Sequence, residues 1–157
     1  MKKIFISSDH AGFRLKEDIK KYLKSKKLNF KDLGPVNDDS VDYPDFAHKL
    51  AKKIKLSKNN VGILVCGSGT GMNIAANKHK NIRAAQCFST KSTKLSRLHN
   101  DANIITLGSR LIDKKNAFKF IKTSIHLKAV FFFVNLDPNV IIFALLCNLD
   151  NFVFFAE

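Results

Sequence analysis

Cysteine is scarce in this chain: only Cys66, Cys87 and Cys147 occur among 157 residues. Their spacing fits no zinc motif, and an odd number cannot form a closed disulfide framework. Free thiols in a reducing cytoplasm are therefore expected. The start, MKKIFISSDHAG, has a run of only four apolar or near-apolar positions before polar residues and glycine, so no secretory leader is expected. Acidic residues are also few, 13 against 27 Lys and Arg, giving a formal charge of +14. Such an excess suits phosphate neutralisation on nucleic acid. However, no RNP-like aromatic motif, zinc finger or basic zipper accompanies it, and the lysines of KEDIKKYLKSKK (16–27) fall mainly on the polar side of a helical pattern. A solvated lysine-rich surface is the expectation, with no nucleic-acid partner. The field would still favour capture of a small anion.

Other absences narrow the chemistry. Neither GxxxxGK[ST] nor GxGxxG is present, so no Walker loop and no dinucleotide fingerprint exists. No internal repeat is evident, and no linker precedes residue 123. The apolar tail is interrupted by Asp137, Pro138 and Asp150, leaving pieces shorter than the ~20 residues a membrane-spanning helix needs. No membrane partner is expected.

What is present is an alternation of two periodicities. KIFISS (3–8), LNFKDL (28–33), VGILVC (61–66), IRAAQC (82–87) and ANIITLG (102–108) read as strands. Between them, Phe13 to Lys26, Phe46 to Ile54, MNIAANK, TKSTKLSRLHN (90–100) and a segment from Asp113 read as helices, with Asp113 a candidate N-cap. GPVNDDSVDYP (34–44) is rich in turn residues. The alternation predicts an α/β fold, a three-layer Rossmann-like (flavodoxin-like) sandwich with a five-stranded parallel sheet. In such folds ligands bind beyond the carboxyl ends of the strands.

That rule selects the residues just after each strand: Ser8, Asp9 and His10, then Cys66, Gly67 and Ser68 in GSGTG (67–71), then Gly108, Ser109 and Arg110. Glycines let backbone amides converge, and a following helix adds its positive end, so the loop suits a phosphate or a developing oxyanion. Cys66 beside those amides is either a small packed core residue or a thiolate poised as nucleophile or base. His10 and His99 are general acids, phosphate ligands or plain surface residues. Asp9, beside His10, is a candidate helix cap. Arg110 is a phosphate fork or a surface ion-pair partner. Taken together these residues are expected at one edge of one sheet.

The segments SSDHAGFRLK (7–16), DYPDFA (42–47), GILVCGSGTGMNIAANK (62–78), IRAA (82–85) and LSRLHNDANIITLGSR (95–110) resemble the type B ribose-5-phosphate isomerase family. That group also holds galactose-6-phosphate isomerase subunits and allose-6-phosphate isomerases. The resemblance implies interconversion of ribose 5-phosphate and ribulose 5-phosphate through an enediolate, with no metal and no cofactor. It implies Cys66 as the base and Gly67, Gly69, Thr70 and Gly71 as the amide cage. Ser68 assists proton movement between oxygens, and His99 assists ring opening with Asp9 near it. His10 and Arg110 bind phosphate, and Tyr43 and Asn100 contact the sugar. It also implies a homodimer, or a dimer of such dimers, in which the active site lies between two subunits and His99 and Cys66 of one pocket come from different chains.

The resemblance covers about residues 1–122. Beyond it the family carries a segment of the form EGGRHxxR, whereas here no arginine follows Arg110. Residues 123–157 contain one Lys, three acids and seven of the 14 Phe. A reading-frame change near codon 123 gives such a break, and is favoured over an added contact element or a re-evolved tail. Without the distal arginines, impaired activity is expected. A hexose 6-phosphate isomerase, a non-catalytic phosphosugar- or nucleic-acid-binding protein and a decayed gene product are the alternatives.

Overall fold

The computed structural model describes residues 3–54, 59–127, 131–137 and 140–145, the last two segments as backbone strands. The described chain runs β1 (Lys3–Ser8), α1 (Phe13–Ser25), β2 (Phe30–Asp32), α2 (Tyr43–Ile54), β3 (Asn60–Cys66), α3 (Thr70–Asn77), β4 (Ala84–Gln86), α4 (Thr90–Asn100), β5 (Ile104–Gly108), α5 (Lys114–His126), β6 (Phe131–Asp137) and β7 (Val140–Leu145). The first five strands form one all-parallel sheet in the order β2-β1-β3-β5-β4. The expected three-layer α/β sandwich is therefore what forms. Its last two strands are exchanged relative to the flavodoxin order 2-1-3-4-5. Strands β6 and β7 pair antiparallel as a separate ribbon.

The central strands are apolar on both faces because both faces are covered. On one side Ile4, Ile6, Ile63, Val65, Ile105 and Leu107 pack with Leu15, Ile19 and Leu23 of α1 and Ala117, Phe120 and Ile121 of α5. On the other, Phe5, Leu64 and Ile104 pack with Leu50 and Ile54 of α2 and Met72 and Ala76 of α3. Burying each such Ile or Leu contributes about 1.5–3 kcal/mol.

Boundaries depart from the sequence expectation where pairing is one-sided. The edge strands β2 and β4 keep only three residues each, against six expected. Helix α2 begins at Tyr43, within the expected turn, because Pro44 falls in its first turn, where no amide donor is required. Asp113 caps α5, its Oδ1 accepting from the Asn116 amide at 2.7 Å. That helix continues past Lys122 to His126, burying Ser124 and Ile125, so it crosses the change in composition unbroken.

One buried polar cluster ties α1 to the loop after β2. Lys16 is fully buried, and its Nζ donates to Asp32 at 3.0 and 3.1 Å and to the Pro35 carbonyl. Asp32 Oδ1 also accepts from the Gly34 amide at 2.9 Å. The Gly34 carbonyl takes Ser7 Oγ at 3.0 Å and the Ser8 amide at 3.1 Å. Gly34–Asp42, the loop leading to Tyr43, is thus anchored at its base.

Candidate active site

Strand β3 ends at Cys66, which is 5% exposed. The chain then turns sharply. Gly69 has φ +84°, a left-handed conformation that costs glycine nothing and other residues a clash. The turn brings the Gly69 amide back to donate to Cys66 Sγ at 3.1 Å. The Thr70 amide donates to Ser68 Oγ at 3.2 Å. Helix α3 starts at Thr70, so its positive end and first-turn amides lie at the same turn. Two of the amides expected to cradle a ligand are therefore already oriented by the loop's own side chains.

Neighbouring strands brace this loop. Ser109 and Arg110 donate their amides to the carbonyls of Cys66 (2.8 Å) and Gly67 (3.0 Å). The Arg110 guanidinium lies over Gly67, where a Cβ would sit 3.2 Å from its Cζ. The Tyr43 ring lies over Gly71 at 3.0 Å from the equivalent point. Larger residues at 67 or 71 would displace those side chains, so the glycines make room for them.

On the β1 side, Asp9 is buried, its amide donating to the Val65 carbonyl at 3.1 Å, and its Oδ1 accepting from the Gly12 amide at 2.7 Å. One carboxylate oxygen is thus committed to the turn that starts α1. His10 is exposed, and its Nδ1 accepts from the Val41 amide at 3.3 Å. In the neutral ring this leaves Nε2 as the N–H donor, available to an anion. Asp9, His10, Tyr43, Cys66, Ser68, the loop glycines, Thr70 and Arg110 are therefore gathered at the carboxyl edge of the sheet.

His99 and Asn100 are not, which corrects the single edge expected from the residues alone. They close α4, which runs antiparallel to the strands after β4. Their end of the helix meets Arg83, just before β4, whose Nε donates to the Asn100 carbonyl at 3.0 Å. That is the amino edge of the sheet. In a parallel α/β unit each crossover helix returns the chain to the edge where the next strand begins, so a helix C-terminus cannot share an edge with strand C-termini.

Sequence reasoning missed two supports of the site, Gly12 and Gln86, and placed Ser109 at the strand ends without a role. Gly12 approaches β3 so closely that a Cβ there would lie 2.3 Å from the Val65 oxygen. Ser109 Oγ donates to the Ala11 carbonyl at 2.8 Å. Gln86 Nε2 donates to the Ser68 carbonyl at 2.7 Å. Gly12 stands in DHAG and could have been read as a close approach; a lone Gln carries no such signal. Cys87 is buried away from the loop, and burial pushes its thiol up against partly opposing hydrogen bonds from Thr93 and Ser96. Cys66 is thus the described cysteine placed for chemistry.

A buried-edge thiol facing an amide cage, with His and Arg beside it, suits proton transfer on an anionic substrate. The sequence profile described as Ribose/Galactose Isomerase matches residues 4–130. Ribose-5-phosphate isomerase B of Escherichia coli (strain K12) is 41% identical over 112 residues, 71% of this chain and 75% of that one. A ribose 5-phosphate isomerase structure from Thermotoga maritima superposes with TM-score 0.79 at 45% identity, covering 81% of this chain and 88% of that one. The ribose-5-phosphate isomerase B of Mycoplasma genitalium with bound ribulose-5-phosphate gives TM-score 0.77 at 42% identity, covering 81% and 85%. The chain belongs to the ribose/galactose isomerase family.

Proposed function

We propose that this chain interconverts ribose 5-phosphate and ribulose 5-phosphate, with Cys66 as the base. The single observation carrying this is the Gly69 amide on Cys66 Sγ at 3.1 Å, in the turn that opens α3. The solved relative with bound ribulose-5-phosphate supports the substrate. In the proposed reaction the Cys66 thiolate takes the proton from C2 of the open aldose and returns it to C1. The charge that develops on O1 and O2 of the enediolate is held by the loop amides and the positive end of α3. Ser68 Oγ passes the hydroxyl proton from O2 to O1, completing the ketose. His10 and Arg110 hold the phosphate, and Tyr43 lines the sugar. The reaction needs no metal and no cofactor, and its setting is the cytoplasm.

His99 and Asn100 reach such a site only from a second copy, because their own edge of the sheet faces away from Cys66. The proposal therefore includes a homodimer with shared sites, or a dimer of such dimers. Residues 1–122 would supply the isomerase domain, with 123–157 a divergent tail. The tail supplies no arginine, and Arg97 is turned inward onto the carbonyls of Ala102 and Leu127. Losing two charge-assisted phosphate contacts weakens binding about a hundred- to ten-thousand-fold, so the activity proposed is an impaired one.

A coupled assay with ribose 5-phosphate tests this, with galactose 6-phosphate and allose 6-phosphate in parallel. Slow conversion of the pentose is expected, reduced at least about a hundredfold further in Cys66→Ala. No conversion at saturating substrate by the folded chain would sink the isomerase reading. A kcat/KM of about 10⁴ M⁻¹s⁻¹ or more would sink the impairment alone. Faster turnover of a hexose phosphate would reassign the substrate within the family.

A further inference from the structure

Gln86 ends the edge strand β4, paired in register with Thr106 of β5. Its side-chain amide reaches across to the glycine loop. Nε2 donates to the Ser68 carbonyl at 2.7 Å and lies 3.1 Å from Thr70 Oγ1; the Thr70 hydroxyl stands 3.3 Å from Gln86 Oε1. The Ser68 oxygen also rests against β5, 2.5 Å from where a Cβ on Gly108 would be.

The Ser68–Gly69 peptide is a planar unit whose carbonyl and N–H point in opposite directions. Its carbonyl is the one Gln86 holds, and its N–H is the one that donates to Cys66 Sγ. Fixing the oxygen therefore fixes the direction of the N–H. The device is needed because Gly69 accepts either sign of φ, so sterics alone do not prevent this peptide from rotating. A rotated peptide would present its carbonyl oxygen to the sulfur in place of the N–H donor.

We infer that Gln86 is a positioning residue of the active site, which aims the Gly69 amide at Cys66 through the Ser68–Gly69 peptide plane. Its polar contacts in the loop are the Ser68 carbonyl and the Thr70 hydroxyl. The inference deepens the isomerase reading and rests on it for the role of Cys66. The peptide geometry stands without that reading. The donor N–H is what matters, and the volume of the side chain is not. Gln86→Met keeps a long unbranched side chain without the amide. Gln86→Glu keeps an acceptor facing Thr70 but brings an anionic oxygen against the Ser68 carbonyl.

The test measures both variants and the unaltered chain in two ways. Amide hydrogen exchange at Gly69, referenced to the core amide of Ile105, is expected to speed up about tenfold in both variants while Ile105 is unchanged. Steady-state kinetics on ribose 5-phosphate are expected to show kcat about tenfold lower and KM within about twofold. Unaltered Gly69 exchange and kcat in Gln86→Met would overturn the inference, as would a KM effect without a kcat effect. If the unaltered chain is inert toward ribose 5-phosphate but the Gly69 exchange difference is present, the isomerase reading fails and the positioning stands.

Discussion

Ser109 Oγ donates to the Ala11 carbonyl across 2.8 Å, joining residues 98 positions apart in the chain. The bond closes a bridge over the end of β3. The loop after β1 carries His10, the loop after β5 carries Arg110, and Cys66 lies on the strand between them. The two proposed phosphate ligands are thus fixed relative to each other by side-chain chemistry as well as by the sheet.

The β1 side of that bridge depends on Gly12. A Cβ there would overlap the Val65 carbonyl at 2.3 Å, a backbone group that cannot rotate away. Gly12→Ala should destabilise the fold by about 1–3 kcal/mol or more and displace the Asp9 turn. Urea unfolding measures the first. A variant as stable as the parent would show that the loop has room the geometry denies it.

Lys16 and Asp32 predict an acid dependence. Burial alone would raise the Asp32 carboxyl, but hydrogen bonds from Lys20, the Gly34 amide and Lys16 outweigh it and hold the group below its ordinary value. A lowered folded value contributes stability that is present above the unfolded value of 3.8 and is lost as pH falls through the folded one. Asp32→Asn should therefore be less stable than the parent at pH 7, and the gap should close as pH drops below 3.8. Lys16→Met, which leaves the carboxylate with Lys20, should cost roughly 3 kcal/mol at neutral pH. Denaturant midpoints across pH 2–7 check both; a gap constant over that range would contradict the assignment.

Ser124 Oγ is buried in α5 with no hydrogen-bond partner among the described residues. Replacing it by Ala removes an unsatisfied hydroxyl and improves helix propensity. Ser124→Ala should stabilise the chain by about 1 kcal/mol, a rise in Tm of about 2–4 °C. Differential scanning calorimetry would read it, and a fall in Tm would mean that the hydroxyl is satisfied.

The opposite-edge position of His99 predicts complementation. Cys66→Ala and His99→Ala chains should each be nearly inactive alone. Co-expressed in equal amounts, they should regain about a quarter of the parent activity, because half the dimers carry one intact site. Mixed dimers that stay inactive would place both residues in the same subunit's site or remove His99 from the chemistry.

Much of this protein was legible in its sequence because the information is local. Apolar runs mark β1, β3 and β5 as strands buried on two faces, and periodicity marks the helices. The thiol followed by GSGTG announces an amide cage, since only glycine takes the Gly69 conformation freely. Composition also marks the break after Lys122, although α5 crosses it. The tertiary structure alone decided which strands are neighbours, and with them the site. The order β2-β1-β3-β5-β4 sets Cys66 between the His10 and Arg110 loops. The direction of α4 sends His99 and Asn100 to the far edge. Gln86 on an edge strand looks like an ordinary surface position, and Ser109 after β5 has no visible task, until the sheet brings Ser68 and Ala11 to them. Periodicity reports which face a residue occupies; it carries no record of what a distant segment will place within hydrogen-bonding reach.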